Sequence, residues 1–62
     1  MLEPRIGDRI RCVEDGHPLR RSMAEVKAHR PEWGEYDIQF DGFEFPVMIT
    51  KEQLYTQFEL EG

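Results

Sequence analysis

Five cations in the first half of this 62-residue chain are spaced as a binding face would be: Arg9 and Arg11, the adjacent Arg20 and Arg21, and Lys27. Residues two apart on a strand share a face, so Arg9 and Arg11 point the same way if this stretch is extended. Arginine suits planar recognition of phosphates and carboxylates. An anionic partner is therefore the chemistry this set could do, and a solvated surface of mixed charge is its plain alternative. The aromatic residues Trp33 and Tyr55 add candidate contact surface, although Trp33 serves equally well as packing at the rim of a barrel.

Other reactive side chains do not assemble into a known chemistry. Cys12, His17 and His29 are the soft ligands, and their spacing fits no zinc pattern. Cys12 reads as a small buried apolar residue, since a reactive thiol needs exposure and a lowered pKa. Ser22, Thr50 and Thr56 lack a nucleophile-elbow context, and no glycine-rich loop is placed to cradle a phosphate. The carboxylates fall on outward strand positions, where they read as a solvated face. No catalytic residue, no metal and no cofactor are expected.

Charge is unevenly distributed along the chain. Residues 1–30 carry seven of the eight Lys/Arg and five acids, a net of +2, while residues 31–62 carry Lys51 against eight acids, a net of −7. The overall charge of −5 disfavours nonspecific binding to nucleic acid or membrane. One cysteine permits no internal disulfide and suits a reducing compartment. There is no run of about 18 apolar residues as a membrane span needs, and the start, Met1-Leu2-Glu3-Pro4, lacks the pattern of a signal peptide. A cytoplasmic protein is expected. At this length a single domain buries only ~60% of its unfolded surface, and self-association would relieve so thin a core.

The elements that must position these residues follow from alternation. Residues 7–13, GDRIRCV, predict a strand with Ile10 and Cys12 inward and Arg9 and Arg11 outward. Residues 14–21 are loop. Residues 22–30, SMAEVKAHR, alternate again, with Ala24, Val26 and Ala28 inward and Glu25, Lys27 and His29 outward. Their composition also suits a helix, but central Val26 and the flanking strands favour a strand. Pro31 and Glu32-Trp33-Gly34 end it in a turn. In YDIQFDGFEFPVMI, residues 36–49, Asp41-Gly42 predicts a two-residue type I′ hairpin. That loop pairs Phe40 with Phe43, Ile38 with Phe45, Asp37 with Pro46 and Tyr36 with Val47, and it buries Phe45. Pro46 marks an edge or a break in outer pairing. Thr50 with Gln53 forms a capping-box pattern, predicting one helical turn from Lys51 to about Thr56 that buries Leu54. Phe58–Leu60 then make a short last strand.

This order resembles an SH3-like small barrel: about five short strands, all-β, with one helical turn before the last. Gly7-Asp8-Arg9-Ile10 at the opening, EYDIQFDG with its turn, and the Leu54 turn carry the resemblance over nearly the whole chain. Such barrels occur in KOW and Tudor modules, in a photosystem subunit and in plasmid-borne type II dihydrofolate reductases. The reductases form a tetrameric pore with a Val-Gln-Ile-Tyr run. The counterpart here, Val47-Met48-Ile49-Thr50, lacks its glutamine and tyrosine. A shared fold does not transfer function.

A single non-catalytic interaction or regulatory domain over 1–62 is the resulting expectation, binding a protein through an exposed strand edge or a charged face. The runner-up is nucleic-acid binding through the basic first strand and its loop; an acidic nucleic-acid mimic follows, and an oligomeric enzyme like the type II dihydrofolate reductases comes last.

Overall fold

Alternation along the first strand is realised in the structure, a computed structural model that describes residues 4–61. β1 (Arg9–Cys12) buries Ile10 and Cys12 completely. β2 (Met23–Arg30) buries Ala24 and Val26, so the strand reading of this segment holds over the helical one. A 3-10 turn (Pro31–Trp33) closed by left-handed Gly34 leads into β3 (Glu35–Phe40). β4 (Val47–Thr50), α1 (Lys51–Gln57) and β5 (Phe58–Glu61) complete the chain. All pairings are antiparallel in the order β4-β3-β2-β1-β5, and the sheet curls into a half-barrel.

The two edges of this sheet, β4 and β5, are joined in sequence by α1. The helix begins where Thr50 accepts from the Gln53 backbone N–H and the Gln53 side chain accepts from the Thr50 N–H, at 3.1 and 2.8 Å. Two backbone donors at the helix start are thereby satisfied. Leu54 is the one residue of α1 that is fully buried, and its burial contributes roughly 1.5–3 kcal/mol. It joins Ile10, Val26, Tyr36, Ile38, Phe40, Ile49 and Phe58 in one core. Among the described residues, no helix is long and apolar enough to cross a membrane.

Two expectations fail, each for a local reason. The tight hairpin does not form. β3 pairs with β4 as Tyr36 with Ile49 and Ile38 with Val47, two residues displaced from the two-residue-loop register. Asp41 is held elsewhere: its N–H donates to the Met23 carbonyl at 3.0 Å, and its carboxylate accepts from Arg9. β3 thus follows β2 for one more residue before turning. Gly42, at φ 85°, is the only central turn residue with positive φ. Phe43 N–H donates to the Phe40 carbonyl at 3.1 Å, so the turn has the φ signs of type II, not I′. A two-residue slip preserves the faces, and Ile49 still reaches the core. Phe43 and Phe45, however, are expelled into the loop, and Phe45 is 71% exposed rather than buried. Pro46 precedes β4, which is indeed an edge strand.

The second correction is a bulge in β2. Val26 pairs with Ile38, but Ala28 pairs with Asp37, leaving Lys27 as an extra residue. A one-residue insertion inverts every later side chain. Ala28 therefore sits opposite outward Asp37, and His29 sits opposite core-facing Tyr36, the reverse of simple alternation. The imidazole stacks on the Tyr36 ring, with centroids 4.1 Å apart and planes 6° apart.

Candidate functional site

Folding interleaves the two charge classes that the sequence separates. β1 lies between β2 and β5, so its arginines meet acids from the C-terminal half. Arg11 lies 3.4 Å from Glu61 and 3.9 Å from Glu59. Arg9 pairs with Asp41 and holds that carboxyl below its ordinary range by a hydrogen bond. Lys27 pairs with Glu25 at 3.4 Å, and Arg20 with Asp15 at 3.1 Å. Each of these pairs is substantially exposed and contributes little stability. Their consequence is electrostatic, because four of the five cations singled out from the sequence face a carboxylate.

Three of those five do converge. Arg11, Arg20 and Arg21 line a cleft of about 270 Å³ with Cys12 and Val13. The 14–21 loop is fixed there by backbone bonds: Arg21 N–H donates to the Cys12 carbonyl at 2.8 Å, and Cys12 N–H to the Ser22 carbonyl at 3.0 Å. Arg21 takes φ 75°, and it is the one non-glycine residue with positive φ among those described. Such a conformation costs roughly 1–2 kcal/mol. Arg9 and Lys27 do not line this cleft.

In comparisons with known proteins, no family model matches the chain and no curated protein matches it in sequence. The site is therefore read from its own residues.

Trp33 and Tyr55 are not brought into ring contact with each other. Trp33 projects from the 3-10 turn and is 72% exposed. Tyr55 lies half-buried on α1, with the Lys51 ammonium 5.5 Å from its ring centre. Tyr55 and Lys51, with Pro4, Arg5, His29, Pro31, Gly34 and Tyr36, line a second, larger cleft of about 340 Å³, and Trp33 does not line it. Arg5 and Lys51 carried no site signal in sequence, and His29 stood out there only as a soft ligand without a metal pattern. His29 reaches this cleft through the β2 bulge, which alternation does not report.

Cys12 is buried and unpaired. His17 Nδ1 accepts from the Leu19 N–H at 3.0 Å, a contact that orders the loop. Among the described residues, no group of three His, Cys, Asp or Glu side chains could hold a metal ion.

The third feature is apolar. Phe43, Phe45, Val47 and Met48 are all exposed on the loop into β4 and on β4 itself. Alternation alone had turned Phe43, Phe45 and Val47 inward. The exposure of Phe43 and Phe45 follows from the longer loop, while Val47 lies opposite Ile38 and is exposed at the start of the edge strand. Among the described residues β4 also has no strand on its outer side, so apolar side chains and an open backbone edge occupy the same border of the sheet.

Proposed function

We propose that this chain is an SH3-like, non-catalytic interaction module that receives an extended segment of a partner protein along the outer edge of β4. The observation that carries this reading is the exposure of Phe43, Phe45, Val47 and Met48 at an edge strand. A strand edge offers a partner unpaired N–H and C=O groups, and adjacent apolar side chains supply pockets for alternate residues of the added strand. Natural sheets usually blunt such an edge with charge. Here four large apolar groups flank it instead, which is the mark of an interaction surface.

The partner segment is apolar and basic. Glu44 lies within the apolar run, Glu52 follows β4 closely, and neither has an ion pair among the described residues. Most cations, by contrast, are already neutralised locally, which favours the edge over the basic face as the contact. A reducing cytoplasm remains the compartment that a lone buried thiol suits.

Capture from nuclease-treated host lysate on the immobilised protein tests the reading, with Phe45→Asp/Met48→Lys beside wild type and amide exchange measured on the complex. The same protein should be lost by the double variant, and Val47–Thr50 should gain protection when it binds. Retention by that variant, with loss by Arg20→Glu/Arg21→Glu, would move the contact to the arginine cleft. Protection of β4 at high concentration without any partner would identify the incoming strand as a second copy.

A further inference from the structure

We infer that the larger cleft is a binding site for a small organic phosphate carrying a planar ring, a nucleotide unit, and this inference does not rest on the β4-edge reading. Its lining combines the cations Arg5 and Lys51 with the rings of His29, Tyr36 and Tyr55. Among the described residues no carboxylate lines it, although the chain holds 13 acids against eight Lys/Arg. Every cation on the outer face of the sheet has an acidic partner. Among the described residues only Arg5, Arg21 and Lys51 have none, and two of those three meet in this cleft. In so acidic a chain, a pocket walled by unneutralised cations concentrates positive potential where a ligand can reach it.

Size and shape narrow the ligand. The volume of about 340 Å³ lies at the low end of the ~300–1,000 Å³ typical of small-molecule sites. That is too large to be filled by inorganic phosphate and too small for an extended polymer. The walls supply the rest. Lys51 stands over the Tyr55 ring, and the stacked His29–Tyr36 pair is the other aromatic element of the lining. Rings on the wall favour a planar ligand body, and Arg5 and Lys51 favour its phosphate. The cleft joins parts far apart in sequence: the segment before β1, the end of β2, the 3-10 turn, the start of β3 and the first turns of α1. Its closest backbone tie is the Lys51 N–H donating to the Gly34 carbonyl at 2.7 Å.

Titration of the full chain with AMP, inorganic phosphate and a six-nucleotide single strand, followed by amide and side-chain NMR, tests the inference. AMP should shift resonances of His29, Lys51 and Tyr55, and should bind at least tenfold more tightly than phosphate. Arg5→Gln and Lys51→Gln should each weaken AMP about tenfold while leaving the thermal melt in place. Tyr55→Leu should weaken AMP and leave phosphate unchanged, which separates ring recognition from charge. Tighter binding of the oligonucleotide through the same residues would identify a strand terminus as the source of the nucleotide. Equal affinity for AMP and phosphate, or no shift at millimolar AMP, would overturn the inference.

Discussion

Arg30 and Asp37 form a bidentate pair across β2 and β3, with nitrogen–oxygen distances of 2.6 and 3.1 Å. Arg30 Nε also donates to Glu35 at 3.0 Å. The three residues meet on the outer face because the extra residue at Lys27 shifts the register. Without it, Arg30 would follow Ala24 and Val26 toward the core. The arginine thus reports the bulge, and the bulge also places His29 beside Tyr36 in the larger cleft.

Acid stability should depend on these carboxylates. Hydrogen bonding to Arg30 lowers the Asp37 pKa from 3.8, and Arg9 lowers that of Asp41 in the same way. A carboxyl depressed in the folded state adds stability above its unfolded pKa and loses it as pH falls through the folded value. Melting temperature should therefore decline below about pH 4. Asp37→Asn should lower the melt near neutral pH and flatten that acid decline. An acid limb with unchanged slope in Asp37→Asn/Asp41→Asn would assign the loss to other groups.

Deleting Lys27 should abolish folding. Removal of the extra residue turns Arg30 toward the core, and an unpaired buried charge costs several kcal/mol, a large part of the stability of so small a domain. Lys27→Ala keeps the residue count and should stay within about 0.5 kcal/mol of wild type. Circular dichroism of the two variants measures the difference. A folded deletion variant would mean that the register is not set by the bulge.

Core and patch should separate cleanly in melts. Leu54→Ala removes the residue with which α1 plugs the half-barrel and should cost about 2–5 kcal/mol. Phe45→Ala removes a ring that is mostly in solvent and should change stability by no more than about 0.5 kcal/mol. A strongly destabilised Phe45→Ala would restore the tight hairpin with Phe45 inward.

Backbone strain at Arg21 is also measurable. Glycine relieves the left-handed conformation, so Arg21→Gly should melt at or slightly above wild type. Arg21→Val, β-branched at positive φ, should lose roughly 1–2 kcal/mol. The reverse order would show that the 14–21 loop does not hold this conformation in solution.

Local information was sufficient for much of this fold. Alternation placed β1 and most of β2, and Thr50 with Gln53 marked the start of α1 to the residue. The position of Leu54 in that turn identified the core plug, and Pro46 signalled the edge. These features depend on hydrogen bonds and side-chain faces within a few residues of each other. Adjacent Arg20 and Arg21, with Arg11, were legible as a cluster because one short loop returns them to their own strand.

Long-range competition decided the remainder. Asp41-Gly42 has the local chemistry of a tight hairpin, but Met23 and Arg9 bind Asp41 from neighbouring strands and lengthen the loop, exposing Phe43 and Phe45. The bulge at Lys27 arises in the pairing of β2 with β3, so no periodicity within either strand announces it. Charge behaved the same way: the +2 and −7 halves are real along the chain, yet β5 lies against β1 and pairs arginine with glutamate. Arg5 and Lys51 keep their positive charge because, among the described residues, the tertiary fold brings no carboxylate to their cleft.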